Sequence, residues 1–261
     1  MVGAGTIVIP SRSCRTCPIR ARGMCSTVPD AELPRLEKMR ELPRRVAAGE
    51  DLFSQGEPLE EVFNILDGWA FLYEILEDGR RQIIQFAIPG DLVGFTANSH
   101  ASTFGAQAIN RVELCVIPRR RLFAFARDHA EFALGLAAML SVDEHLAYER
   151  ITSIGRKTAQ ERIAALLLEL FYRLRRRAPS VRGEELRLPL TQPLIADATG
   201  LTPIHTNRML GDLRSKGVID YGNGLFRILD PVRLFEVAGI DPAMCPWAPD
   251  EGSGFLQEAC R

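Results

Sequence analysis

Short apolar runs punctuated by glycine turns fill the chain from Arg44 to Pro118, after which the pattern changes to helical periodicity. The runs are GEDLFSQGE, VFNILDGWAFLYEIL, EDGRRQIIQFAIPGDLVGF and FGAQAINRVELCVIP. Val62, Ile65 and Leu66 precede Asp67-Gly68, and Phe71 to Leu76 leads into Asp78-Gly79. Aspartate–glycine pairs favour tight turns, so this pattern predicts consecutive hairpins in an antiparallel roll or barrel. Ahead of the roll, Ala31 to Met39 predicts a short helix.

Beyond it, Arg119 to Arg127 reads as a short basic helix against the roll, and Glu131 to Lys157 as a long proline-free one. Phe132, Leu136, Met139, Leu146 and Ile154 recur near heptad spacing, interrupted by Asp143, Arg150 and Ser153. A partly apolar stripe on a long helix fits a marginal dimer coiled coil. This places Leu136, Met139, Asp143, Leu146 and Arg150 at a dimer interface; the same stripe also suits a helix packed along its own domain. Thr158 to Leu174 opens the next domain, with Ile163, Leu166, Leu167, Leu170 and Phe171 on a core face.

Thr191 and Thr202 each precede a helix-start signal with a proline in the first turn, and Gly200 lies between them. The second helix, running to Gly217, groups Thr206, Met209, Leu210 and Leu213 on one side and Ile204, Asn207, Arg208, Gly211 and Ser215 on the other. Val218 to Tyr221 and Leu225 to Ile228, joined through Gly222-Asn223-Gly224, predict a β-hairpin. The order is that of a winged helix-turn-helix, whose second helix enters the major groove. The expected DNA contacts are Thr202, Ile204, His205, Asn207, Arg208 and Ser215. An ordinary helical hairpin with Asn207 and Arg208 merely solvated is the alternative.

Composition narrows the setting. A chain of 261 residues, 46% hydrophobic, suffices for two packed domains. Its net charge of −1 means that attraction to phosphate must come from local clusters, such as Arg173, Arg175, Arg176, Arg177 and Arg182. The opening MVGAGTIVIPSRS lacks a basic leader region, and no segment has membrane-spanning length free of charge, so a cytoplasmic location is expected. In a reducing compartment six cysteines point to metal or redox chemistry rather than structural disulfides. Cys14, Cys17 and Cys25 have ligand spacing for iron or zinc, one thiolate short of a complete set. Unligated thiols or a disulfide switch are the alternatives. Arg12, Arg15, Arg20 and Arg22 could balance thiolate charge; Cys245 and Cys260 remain unassigned. Enzymatic motifs are missing: there is no G-x-S-x-G, P-loop or H-E-x-x-H, and the four histidines are scattered.

From Leu42 to Gly239 the sequence resembles the Crp/Fnr family of bacterial transcription regulators. The resemblance lies in FSQG, ILDG, EDG, FAIPGDLVG, the long helix and KTAQERIAALLLEL. It implies an α+β fold in five parts: a cysteine-bearing segment (1–30), a β-roll sensor resembling cyclic-nucleotide-binding domains (31–130), a dimerisation helix (131–158), a winged helix-turn-helix (159–240) and a tail (241–261). The N-terminal cysteines look like those of the Fnr branch, which holds a [4Fe–4S] cluster by three such cysteines and one in the roll. The resemblance makes Cys115 of VELCVIP the fourth ligand. It implies an oxygen- or redox-switched homodimer on a palindromic operator in double-stranded DNA, with repulsion among Asp143, Glu144 and Glu149 opposing dimerisation once the cluster is lost. Zinc or a thiol–disulfide switch is the alternative for the same cysteines. RNA polymerase is a partner that activation would require.

Members that bind cyclic AMP carry an arginine–serine pair where this chain has FTANSHASTFGAQA, so no cyclic nucleotide is expected. Fnr-like recognition helices carry a glutamate and, three residues on, a serine–arginine pair; here these positions are Ile204, Asn207 and Arg208. Arg208 keeps the guanine-reading fork, Ile204 can touch a thymine methyl and Asn207 can pair with adenine.

Overall fold

The computed structural model describes residues 7–8, 13–96, 101–177, 185–222 and 225–242. The chain forms two compact units, Met1–His145 and Leu146–Arg261.

The first unit comprises β1 (Ile7–Val8), α1 (Leu33–Met39), β2 (Arg44–Val46), β3 (Asp51–Phe53), β4 (Glu61–Asp67), β5 (Ala70–Ile75), β6 (Arg81–Ala87), β7 (Leu92–Val93), β8 (Gly105–Ala108), β9 (Val112–Pro118), α2 (Arg119–Asp128) and the start of α3 (Ala130–Arg156). Two antiparallel sheets, ordered β1-β2-β9-β4-β7 and β3-β8-β5-β6, make the roll. Phe63, Ile65, Leu114 and Val116 alternate along β4 and β9 into its interior, where Phe63 stacks on Phe53 with ring centroids 6.0 Å apart. The opposite faces of these strands carry a second core. There Val62 and Ile117 meet Leu36 and Met39 of α1, Phe125 of α2, and Phe132 and Leu136 of α3. Burial on both faces explains why β4 reads as an apolar run rather than an alternation.

Glycine turns do not all make hairpins. β5 and β6 pair across Asp78-Gly79 as expected, but β4 and β5 lie in different sheets. At Gly68, φ is +83°, and a Cβ there would lie 2.2 Å from the Arg111 carbonyl oxygen. The turn hands the chain from one sheet to the other beneath a neighbouring backbone, which only glycine permits.

The sequence-predicted stripe on α3 faces inward. Leu136 is buried in the second core with Met139 packed against it, Asp143 accepts a hydrogen bond from Gln85 Nε2 at 3.2 Å, and Leu146 is buried. Arg150 donates to Glu169 Oε2 at 2.8 Å, and Arg173 donates to the other oxygen of that carboxylate at 2.9 Å. These five residues are therefore engaged within their own chain. The exposed large apolar side chains of α3 are instead Leu134, Val142, Tyr148 and Ile151.

The second unit adds α4 (Ala159–Arg177), β10 (Glu185–Arg187), α5 (Gln192–Thr199), α6 (Pro203–Ser215), β11 (Ile219–Gly222), β12 (Leu225–Ile228) and α7 (Pro231–Ala238). Ile163, Leu166, Leu167, Leu170 and Phe171 of α4 are buried as the core of this unit. The hairpin β11–β12 gains β10 as a third strand, and α7, capped by Asp230, packs on α4. Part of the expected basic cluster is structural. Arg173 is buried on Glu169, and the Arg175 guanidinium lies 4.7 Å from the Phe171 ring centroid. Arg182, the Asn223-Gly224 turn, residues 97–100 of the FTANSHASTFGAQA stretch, Arg12, Cys245 and Cys260 lie outside the described residues, as do the side chains of Arg22, Arg176 and Arg177.

Candidate functional site

The cysteine segment begins in a tight helical turn at Cys14–Thr16. Ser13 caps it by accepting from the Arg15 N–H, and the chain then folds back over α1. Glu37 of α1 fastens it, its Oε1 accepting from the Cys14 N–H at 2.6 Å and from Ser13 Oγ at 2.8 Å. Those bonds hold the Glu37 carboxyl below its ordinary range. Farther on, Arg20 donates to the Val28 carbonyl at 3.0 Å and pairs with Asp30, as does Arg15. The loop is thus closed by ion pairs on its outer side.

Underneath, Cys14, Cys17, Cys25 and Cys115 line one pocket. All four are free thiols. Ile19, Met24, Leu36, Met39, Leu66 and Ile117 form its apolar wall, and Arg20, Arg40 and Asn64 complete it. Burial pushes the Cys115 thiol up to about 12, against the pull of Arg40. Burial, reinforced by the other three thiols, raises Cys25 further, and burial raises Cys14 against Arg40. Thiols held neutral this way bind metal only by giving up protons, and the resulting thiolates would then meet the charges of Arg20 and Arg40. A four-cysteine donor set suits an iron–sulfur cluster or tetrahedral zinc. Among the described residues, however, no three His, Cys, Asp or Glu side chains converge closely enough to hold a single metal ion.

The second candidate surface is α6. Thr191 and Thr202 cap α5 and α6, their hydroxyls accepting from Leu194 N–H at 3.5 Å and His205 N–H at 3.2 Å. Gly200 ends α5 in the left-handed region at φ +67°. Thr206, Leu210 and Leu213 are buried, whereas Thr202, Ile204, Asn207, Arg208, Gly211 and Ser215 are exposed and His205 is half-buried. Ile204 is 85% exposed. Gln192 Nε2 donates to Asn207 Oδ1 at 2.9 Å, fixing that amide at the junction of the two helices.

Two residues of the cysteine pocket, Arg40 and Asn64, escape a reading of the sequence. Arg40 carries no local signal. Asn64 does, as the one polar residue within Val62–Leu66.

A sheet roll, a long helix and a helix-turn-helix with an exposed second helix make up the architecture of a DNA-binding regulator. Residues 43–129 match the cyclic nucleotide-binding domain family, and residues 161–237 the Crp-like helix-turn-helix domain family. The nitrogen fixation regulation protein FixK of Bradyrhizobium diazoefficiens is 32% identical over 227 residues, covering 86% of this chain and 93% of that one. The fumarate and nitrate reduction regulatory protein of Vibrio cholerae is 30% identical over 230 residues, covering 87% and 90%. The solved structure of FixK2 from Bradyrhizobium japonicum superposes with a TM-score of 0.69 at 29% identity, covering 76% of this chain and 96% of that one. The chain belongs to the Crp/Fnr family of transcription regulators: it binds DNA, as a family of dimeric regulators does, and is not an enzyme. Among the described residues no helix is long and apolar enough to cross a membrane.

Proposed function

We propose that this regulator reads oxygen or redox state through a [4Fe–4S] cluster held by Cys14, Cys17, Cys25 and Cys115, and that occupancy of the site governs dimerisation through α3. The observation that carries the reading is the shared pocket: three cysteines of one loop and a fourth from β9 line the same cavity. A bound cluster would supply oxygen-labile iron–sulfur bonds. The residues of this chain do the rest. Cys14, Met24 and Val28 of the loop belong to the same apolar core as Phe132 and Leu136 of α3. Anything that draws the loop inward therefore repacks the wall on which α3 rests, and so favours one of its arrangements.

On the exposed side of α3, Leu134, Ala137, Ser141, Glu144, Tyr148, Ile151 and Gly155 follow strict heptad spacing. We assign the dimer seam to this face. Glu144 at its centre would meet its symmetry mate, a repulsion that keeps the pair marginal and hence switchable. The operator contacts assigned to the protein are Thr202, Ile204, His205, Asn207, Arg208 and Ser215, on a palindromic site read by the two α6 helices. Activation in contact with RNA polymerase and action in the cytoplasm complete the proposal. A cyclic nucleotide has no part in it, because residues 96–108 carry no Lys or Arg to meet a phosphate.

A zinc site or thiol switch is the second reading, supported by the same four thiols. Single-ion zinc would require them to draw together, whereas a cluster spreads its ligands over separate iron corners. Iron, zinc and sulfide analysis of anaerobically purified protein decides. The proposal expects about four iron and four sulfide per chain, lost in Cys115→Ser; stoichiometric zinc without sulfide would replace it with the second reading.

A further inference from the structure

Asn64 stands in the middle of β4, flanked by Phe63 and Ile65 that point into the roll. Its own side chain and that of Leu66 point the other way, into the cysteine pocket. The register sets Asn64 directly opposite Cys115 on β9. Opposed residues of an antiparallel pair project on the same face with their Cβ atoms about 5 Å apart. Asn64 is only 2% exposed, and its Oδ1 has no hydrogen-bond partner among the described residues. Buried amides are normally satisfied, so this one has hydrogen-bonding capacity that its own chain does not use.

The loop is shaped to close over this amide. A Cβ at Gly23 would lie 3.3 Å from Asn64 Nδ2 and 3.4 Å from the Gly90 carbonyl oxygen, so a residue without a side chain lets the loop backbone descend there. Apart from the thiols, Asn64 is the one uncharged polar side chain of the pocket lining. An amide turned by half a revolution about its last torsion exchanges its oxygen for its donor end.

We propose that Asn64 is a hydrogen-bond donor to the thiolate-held centre, its Nδ2–H reaching a sulfur on the Cys115 side once the site is loaded. The inference rests on the iron–sulfur reading and deepens it. Hydrogen bonds to cluster and cysteine sulfurs withdraw electron density and raise the reduction potential. Partners behind the ligands tune a metal site as surely as the ligands do. Asn64 thereby sets how readily the centre is lost to oxygen, and acts as a positioning residue rather than a ligand.

The test uses the full chain loaded anaerobically, as wild type, Asn64→Leu and Asn64→Ser. An N–H···S bond makes iron–sulfur stretching bands in the resonance Raman spectrum sensitive to exchange into D2O. In Asn64→Leu that sensitivity should shrink, the midpoint potential should fall and bleaching in air should quicken several-fold. The metal-free Leu variant should melt no lower than metal-free wild type, since it removes an unsatisfied buried amide. Asn64→Ser, which keeps a donor in less volume, should fall between the two and serves if the Leu variant does not fold. Unchanged isotope shifts and bleaching in both variants overturn the role of Asn64 while leaving the cluster standing. A wild type that takes up no iron and sulfide overturns the cluster reading itself, and this inference with it.

Discussion

Thr27 fills the space above Gly135: a Cβ built on this glycine of α3 would lie 2.9 Å from both Thr27 Cγ2 and Thr27 Oγ1. The cysteine loop therefore rests directly on the helix, at the one position there that lacks a side chain. The contact leaves no room for a Cβ between loop and helix.

Substituting Gly135 by Ala sets two effects against each other. Removing a helical glycine gains roughly 1 kcal/mol, while crowding a packed contact costs roughly 1–3 kcal/mol. Because Thr27 is exposed and can be pushed outward, melting temperature should change little while the loop loosens, seen as faster proteolysis within residues 13–30. Adding Thr27→Ala should restore protection, since the Thr27 Cβ lies 3.5 Å away, an ordinary contact. Equal proteolysis in wild type and Gly135→Ala would break the proposed link.

Two substitutions on opposite faces of α3 should separate packing from dimerisation. Ile151, 68% exposed, replaced by Asp should leave the melting temperature of the monomer nearly unchanged and shift sedimentation toward monomer. Leu136, 7% exposed within the second core, replaced by Ala should instead cost about 2–5 kcal/mol of stability in the first unit. A dimer that survives Ile151→Asp would move the seam elsewhere.

His129 and Glu32 give a pH signature. His129 Nδ1 lies 2.9 Å from the Phe125 carbonyl oxygen and Nε2 lies 3.1 Å from Glu32 Oε2. Only the imidazolium can donate from both nitrogens. The bond to Phe125 and then the one to Glu32 raise the histidine above its ordinary 6.5, and the bond from His129 lowers Glu32 below its ordinary 4.5. A raised histidine contributes stability below its unfolded value and loses it as pH rises; a lowered carboxyl contributes above its unfolded value and loses it as pH falls. The pair thus works best between these two values. The stability difference between wild type and His129→Gln should shrink as pH climbs from about 6 to about 8, measured by urea unfolding; a constant difference contradicts it.

On α6, Arg208→Ala should weaken operator binding by about 1–3 kcal/mol and relax one base position. Thr202→Ala removes the cap of the helix, at about 0.5–2 kcal/mol of stability, and should weaken all operators alike. Gln192→Ala should blur selection only where Asn207 reads, because it frees the amide that Gln192 holds. A selection experiment over randomised half-sites checks all three.

Most of the architecture is legible in the sequence because capping and periodicity are local. Thr191, Gly200 and Thr202 announce α5 and α6, and the apolar face of α4 announces its core. What escapes depends on distant partners. Asp67-Gly68 has the local chemistry of a hairpin, yet the packing of Gly68 under Arg111 makes it a crossing between sheets. The apolar stripe of α3 identifies a buried face but not what buries it: Phe132, Leu136 and Met139 pack with the cysteine loop, α1 and α2. Arg173 reads as a phosphate contact until Glu169, one turn away, is seen to hold it. At the pocket, spacing links three cysteines, but Arg40 and Asn64 join them only through the fold of β4, β9 and α1.

The most direct test of the switch is sedimentation velocity of anaerobic protein, followed at both the protein band and the visible iron–sulfur band, and repeated after air is admitted. The account predicts a brown species sedimenting as a dimer that bleaches and shifts to monomer, and a Cys115→Ser protein that is colourless and monomeric throughout. A colour-bearing dimer that bleaches without changing its sedimentation, or a colourless dimer indifferent to air, would contradict it.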